Sequence, residues 1–154
     1  MNRYFATSAI VIAMTSAMTS AALAQQHSQH GASDALPAGF ETKPVLKSTK
    51  TADGDPIRFP TGGTPEIVSV IGTLQPGGRT ARHQHPIPVY VYVLEGELQV
   101  QTEGKEPRIY KTGEAFLESV NTWHQAFNKG GIPTRILVVF VGEEGKPSTI
   151  AATQ

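Results

Sequence analysis

Two histidines separated by a single residue are the part of this sequence best suited to chemistry. His83 and His85 follow a turn at Gly77 and Gly78 and precede a run of apolar residues. Residues two apart in a β-strand point to the same face, so both imidazoles would aim at one point. A third histidine, His124, lies much further along the chain. The pattern predicts a metal site with three imidazole ligands, because imidazole is the commonest side-chain ligand of transition metals.

The chain contains no cysteine, which restricts the ligands that such a site can use. Thiolate ligands, disulfides and cysteine nucleophiles are excluded, so a metal would be bound through imidazole nitrogen and oxygen atoms. Three neutral imidazoles leave the charge of a divalent ion uncompensated. The ligand set predicts one divalent transition metal (Fe, Zn, Mn, Ni or Cu) and leaves its identity open.

The spacing around the histidines resembles two motifs of small single-domain cupins of the type-2 conserved barrel family. The first has the form G-x5-H-x-H-x3/4-E-x6-G and the second the form G-x5-P-x-G-x2-H-x3-N. Positions in register with them are Gly77, His83, His85, Gly96, Gly113, His124 and Asn128. The glutamate of the first motif is missing, because Val89 occupies its position. The proline and glycine of the second motif are replaced by Ser119 and Asn121.

The resemblance implies a metal held by the three histidines and a jelly-roll barrel around it. The residues themselves support an all-β fold, since short apolar segments alternate with Gly and Pro turns and none shows a long helical period. Strands are predicted at residues 66–74, 89–94, 97–101, 108–111, 114–118, 124–128 and 134–141. We therefore predict a single cupin jelly-roll β-barrel over residues 43–146, with the family core at about 64–142.

The first residues have the composition of an export signal. A short positive region at Asn2 and Arg3 precedes an apolar stretch, and Ala22-Leu23-Ala24 is a small-x-small cleavage site. Residues 1–24 are therefore predicted to be a signal peptide cleaved after Ala24, which would place the protein in the periplasm or outside the cell. Residues 25–42, which include His27 and His30, are predicted to be a flexible tether, and residues 147–154 a C-terminal tail.

The charge balance argues against two classes of partner. The chain has 13 Lys and Arg against 13 Asp and Glu, with no basic stretch, so it lacks the electrostatic footprint of nucleic-acid binding. After the signal, no segment is apolar enough to insert into a membrane. A small-molecule ligand or substrate is the partner that the sequence favours, and the resemblance to cupins implies a homodimer.

Few residues near the histidines could act as a catalytic acid or base. The two named are Glu118 and Tyr92, and Glu118 could instead serve as a fourth ligand or hold a ligand in place. The catalytic residue is otherwise left unassigned. The residues predicted to line a substrate pocket are Arg82, Val89, Val91, Val93 and Phe116.

Two functions remain open from the sequence. The resemblance implies a periplasmic metal-dependent cupin that binds a small oxygenated or carboxylated compound, with dioxygenase-like chemistry as the leading subtype. Hydrolytic or isomerase chemistry can be written from the same residues. The alternative is a degenerate cupin, a non-catalytic module that binds a metal or a small ligand, which the missing glutamate favours.

Overall fold

The computed structural model describes residues 39–153. Within this range the chain forms nine β-strands and no helix, so no described helix could cross a membrane. The strands are β1 (Pro65–Leu74), β2 (His83–Gln84), β3 (Val89–Glu95), β4 (Glu97–Thr102), β5 (Arg108–Lys111), β6 (Ala115–Leu117), β7 (His124–Phe127), β8 (Thr134–Glu143) and β9 (Ile150–Ala151). They form two antiparallel sheets, as expected of a jelly roll.

The four-stranded sheet has the order β1-β8-β3-β6. Its long pair is β1 with β8, which runs in unbroken register from Pro65 opposite Glu143 to Leu74 opposite Thr134. Strand β3 pairs with β8 on one side and with β6 on the other. This sheet therefore supplies the scaffold, and its strand β6 leads directly into the segment that carries Glu118.

The five-stranded sheet has the order β5-β4-β7-β2-β9 and carries the histidines. Strand β2 is only two residues long and lies between β7 and β9, with His83 directly opposite His124. Because directly opposed residues lie on the same face of a sheet, this register alone brings two of the three imidazoles together.

The core lies between the sheets and follows the alternation of the sequence. Val89, Val91 and Val93 are buried along β3 while Tyr90 and Tyr92 between them are only partly buried. Leu98 and Val100 are buried in the same alternating way along β4. Strands with one buried face pack a continuous apolar layer, which stabilises the barrel without disulfides.

Gly96 makes the tight turn between β3 and β4. Its φ of +77° lies in the left-handed region, and a Cβ there would meet the Pro133 carbonyl oxygen at 2.8 Å. Both the conformation and the close approach of the neighbouring backbone require glycine. The turn thus fixes the register of β3 and β4.

The all-β jelly roll predicted from the sequence is confirmed, and each predicted strand has its counterpart. Two short strands, β2 and β9, were not predicted, and β9 falls in the segment expected to be a tail. Residues 43–58 hold no strand and form only an isolated bridge between Lys50 and Pro56. The predicted signal peptide, and the tether apart from residues 39–42, lie outside the described residues.

Candidate metal centre

Three histidines converge at the end of the barrel where β2 meets β7. One ring nitrogen from each of His83, His85 and His124 lies within 4.8 Å of the others, and the rings of His85 and His124 are buried. His85 follows β2 and forms a parallel bridge with Val120, so the loop before β7 holds it beside His124. The spacing of two on β2 places His83 and His85 together, as the sequence predicts.

Backbone carbonyls fix the orientation of all three imidazole rings. The Nδ1 atoms lie 2.8 Å from the Ala81 oxygen for His83, 2.7 Å from the Ser148 oxygen for His85, and 2.9 Å from the Thr122 oxygen for His124. A carbonyl oxygen can only accept, so each Nδ1 carries a proton, and when the ring is neutral its Nε2 offers a lone pair. Metal-binding histidines are oriented in this way, with the second nitrogen donating to a fixed acceptor.

The carboxylate of Glu118 lies against two of these Nε2 atoms. Its Oε2 is 3.1 Å from Nε2 of His85 and 3.6 Å from Nε2 of His124, and its side chain is only 11% exposed. A neutral imidazole Nε2 and a carboxylate oxygen are both acceptors, so the arrangement needs a cation between them, either a proton or a metal ion. Nε2 of His124 is also buried without a hydrogen-bond partner. Three imidazole nitrogens and one carboxylate oxygen are a donor set that fits a divalent transition metal.

The electrostatics of the cluster favour an ionised carboxylate. Burial opposes the charge of Glu118, but its interactions with His124 and His85 outweigh that effect and lower the pKa of Glu118 to about 2. Burial also lowers the pKa of His83, and the two neighbouring imidazoles add to that effect. For His124, burial is outweighed by Glu118, which raises the pKa of that ring. Glu118 therefore brings a negative charge to the centre at neutral pH.

A small cavity continues from the centre into the barrel. Its volume is about 10 Å³, roughly the space that the centre of one water molecule requires. Stacked aromatic rings form one wall, with Tyr110 and Phe116 at a centroid distance of 3.8 Å. Burial raises the pKa of Tyr110, so its hydroxyl remains protonated at neutral pH. The lining residues are Ala52, Asp53, Val100, Thr102, Arg108, Tyr110, Phe116, Glu118, Ser119 and His124.

The remaining residues named from the sequence occupy four different places. Phe116 lines the cavity, whereas Val89, Val91 and Val93 belong to the buried core cluster. Arg82 is half exposed, forms an ion pair with Glu103 at 2.5 Å, and lies over the ring of Trp123. Tyr92 alternates with the buried valines and so projects from the opposite face of β3. The three histidines and Glu118 remain the predicted site residues that the fold brings together.

Two charged residues of the cavity, Asp53 and Arg108, were not singled out from the sequence. Asp53 has a side chain that is only 5% exposed, and its Oδ2 accepts a hydrogen bond from the Ser119 hydroxyl. Arg108 lies beside it, at 3.9 Å from Asp53 Oδ1. Asp53 sits in a polar turn 30 residues before His83, and no local pattern links that turn to the barrel interior. Arg108 could have been noticed, because it begins a predicted strand with Tyr110 on the same face.

Comparison with known proteins bears directly on this fold and this site. Residues 70–140 match the family model of the cupin domain, a range that includes the three histidines and Glu118. The chain carries a small cupin domain. The resemblance identified in the histidine motifs is therefore confirmed, and the metal stays a prediction.

Two similar proteins place this cupin in context. The tetracenomycin polyketide synthase protein TcmJ of Streptomyces glaucescens is 34% identical over 65 residues, 42% of this chain and 43% of that protein. The chain thus spans less than half the length of that curated relative. The DMSP lyase DddQ of Ruegeria pomeroyi DSS-3 is similar over 56% of this chain and 43% of its own, with 21% identity and a TM-score of 0.50. At this identity, the similarity to the lyase shows the fold alone.

Proposed function

We propose that this protein is an exported metal-binding cupin that binds a small oxygenated or carboxylated compound at its three-histidine centre. One observation carries the proposal. The Nε2 lone pairs of His85 and His124 face an ionised carboxylate oxygen of Glu118, and a divalent cation is the partner that satisfies all of them. The fixed Nδ1 hydrogen bonds support it, because rings held in this way are ready to bind.

Each residue of the centre has a definable task in this proposal. A bound divalent metal would supply Lewis acidity that polarises an oxygen atom of the compound. His83, His85 and His124 would hold the cation, and Glu118 would offset one of its charges. With a pKa of about 2, Glu118 is better suited to balancing charge than to accepting a proton during the reaction. His83 is the most exposed of the three rings, so the open side of the centre lies next to it.

Dioxygenase-like chemistry is the subtype that we favour. The resemblance to three-histidine cupins suggests it, and the relative TcmJ is named as a polyketide synthase protein. The buried aromatic and aliphatic walls of the cavity would keep water from a reactive compound. An oxygen-consumption assay with enol and phenol compounds would test this subtype.

A second function is favoured by the size of the cavity. A volume of about 10 Å³ admits one water molecule and no organic compound in the conformation described. A non-catalytic module that binds a metal, with a water completing its shell, would need no more room. Tight metal binding without turnover of any compound would support this alternative.

We further propose that the protein is exported to the periplasm or beyond and forms a homodimer. Export follows from the signal-like composition of residues 1–24 and the cleavage site after Ala24. The dimer is supported by strand β1, which lies at the edge of its sheet and exposes Ile67, Val68, Val70 and Ile71 on its two faces. An apolar edge strand of this length is suited to pairing with a second copy.

Metal content decides between the metal-binding cupin and a barrel without metal. The full chain, exported and purified without chelator, is analysed by mass spectrometry beside His83→Ala and His124→Ala. We expect one divalent ion per chain in the wild type and its loss in both variants. A variant with His27→Ala and His30→Ala is the matched control, and it should keep the ion. Wild-type protein that stays free of metal after reconstitution would refute the proposal.

A further inference from the structure

Part of the cavity wall is built from charged and polar groups outside the histidine cluster. Asp53, Arg108 and Ser119 belong to this part, and all three line the same cavity as His124 and Glu118. The metal centre and these polar groups therefore share one pocket, whose wall also includes the stacked rings of Tyr110 and Phe116.

Asp53 reaches the cavity from a turn that is not part of either sheet. The turn spans residues 51–55 and is closed by bonds between Thr51 and Asp55. It is attached to the barrel by three hydrogen bonds and by the ion pair between Asp53 and Arg108. The Ala52 amide donates to the Leu117 oxygen at 2.8 Å, the Arg108 guanidinium donates to the Ala52 oxygen, and Ser119 donates to Asp53.

This turn is the element that can yield when a compound enters. The cavity as described holds about one water molecule, so binding anything larger requires a wall to move. Most of the other walls belong to the paired strands β4, β5, β6 and β7, whose displacement would break several ladder hydrogen bonds at once. Releasing the turn breaks its contacts to Leu117, Arg108 and Ser119, and it also withdraws the Asp53 carboxylate.

Withdrawal of Asp53 leaves two donors that are complementary to a carboxylate. The guanidinium of Arg108 offers several N–H groups in a planar fork, and Ser119 offers its hydroxyl. Arg108 is 49% exposed whereas the Asp53 side chain is 5% exposed, so the arginine lies at the rim and the aspartate beneath it. A carboxylate that enters the pocket contacts Arg108 first. It then takes the place of the Asp53 carboxylate beside Arg108 and Ser119.

We propose that Arg108 and Ser119 are the carboxylate-binding end of the substrate pocket, and that Asp53 occupies this end until a substrate carboxylate displaces it. The inference deepens the proposed function and rests on it, since it names the substrate class of that centre as small carboxylates. The 51–55 turn is then a substrate-displaced cap, and Arg108 is the specificity-determining residue.

The test uses benzoate and its neutral counterpart benzamide as probes. Both have a ring that fits the aromatic wall, and only benzoate carries the charge. Calorimetric titration of the full chain, with bound zinc and after its removal, should show binding of benzoate and little of benzamide. Arg108→Gln should weaken benzoate binding at least roughly tenfold, and Asp53→Asn should strengthen it by a similar factor. The control Arg135→Gln, which changes an exposed arginine paired with Glu95, should change nothing.

Displacement of the turn is measured separately by amide hydrogen exchange. The Ala52 amide, bonded to Leu117 in the closed turn, should exchange faster when benzoate is bound and remain unchanged with benzamide. If Arg108→Gln folds poorly because Asp53 is left unpaired, the double variant with Asp53→Asn removes both charges and should still fail to bind benzoate.

Several results would overturn the inference without touching the proposed function. Equal benzoate affinity in the wild type, Arg108→Gln and Asp53→Asn would do so, as would an Ala52 amide that stays protected with benzoate bound. Absence of saturable benzoate binding in the wild type would also reject it. The two proposals are tested by different measurements. Metal content tests the metal-binding function, and titration of metal-free protein with benzoate tests the carboxylate-binding end by itself.

Discussion

The carboxylate beside the histidines belongs to Glu118, which lies in a different part of the chain from the glutamate position of the cupin motif. In the first motif the glutamate position is Val89, a fully buried core residue on β3. Glu118 approaches instead from the end of β6, and its oxygen lies 3.1 Å from Nε2 of His85. A negative charge is thus restored to the centre from another direction, and the apolar core keeps Val89.

Neutralising Glu118 should weaken the metal more than it weakens the fold. Glu118→Gln keeps the size of the side chain and removes the charge that offsets a divalent ion. We expect metal affinity to fall by about 10–100-fold, measured by competition with a chromogenic chelator. Glu95→Gln, at an exposed carboxylate of the β3–β4 hairpin, is the control and should leave affinity unchanged. Unaltered affinity in Glu118→Gln would show that the carboxylate takes no part in binding.

Asn128 shows how one polar side chain joins separate elements. It is fully buried, its Nδ2 donates to the oxygens of Leu74 and Ile132, and its Oδ1 accepts from the Gly130 amide. These bonds tie the end of β1 to the loop between β7 and β8. The position matches the asparagine of the second motif, so the motif has a structural role at this residue, whereas at His124 we propose that it supplies a metal ligand.

The turn between β3 and β4 is expected to tolerate no side chain at Gly96. Gly96→Ala combines a left-handed backbone with a contact of 2.8 Å to the Pro133 oxygen, and should lower the free energy of unfolding by about 2–4 kcal/mol. Gly104→Ala is the matched control, because Gly104 has a φ of +71° and open space around its Cβ. It should cost only about 1 kcal/mol. Urea unfolding of both variants measures the difference, and equal losses would contradict the role of the close approach.

The strands of the barrel could be predicted from the sequence, because alternating apolar residues indicate which face of a strand is buried. The sequence also predicted the three histidines as one site, since spacing on β2 and the second motif both pointed there. It did not predict β2 and β9 as strands, because two-residue strands carry no periodicity. The position of Asp53 was equally hidden, since it depends on a turn docking against Leu117 from more than 60 residues away in the chain.

Strand β1 raises a question about the assembly of the whole protein. It pairs with β8 along one edge, and no strand of the described residues pairs with its other edge. Ile67 and Ile71 are 63% and 53% exposed on one face, with Val68 and Val70 exposed on the other. Exposed apolar edges of this kind favour association with another strand.

Charges placed on β1 should therefore separate the proposed dimer. The double variant Ile67→Lys and Ile71→Lys is expected to elute as a monomer while the wild type has twice the mass of one chain, measured by light scattering after gel filtration. Ile109→Lys, at an isoleucine 52% exposed on β5 of the other sheet, is the control and should remain dimeric. A monomeric wild type at micromolar concentration would contradict the dimer.

The bond between His85 and Ser148 has a consequence for the order in which the protein matures. The Nδ1 proton of His85 is held by a carbonyl that lies 63 residues later in the chain. His85 is synthesised well before its acceptor, so this bond cannot form until the segment after β8 is present. Contacts of such long sequence separation form late, because the intervening chain must first be ordered. His85 is therefore fully oriented only when the segment after β8 has docked, so the proposed metal site is completed late in folding.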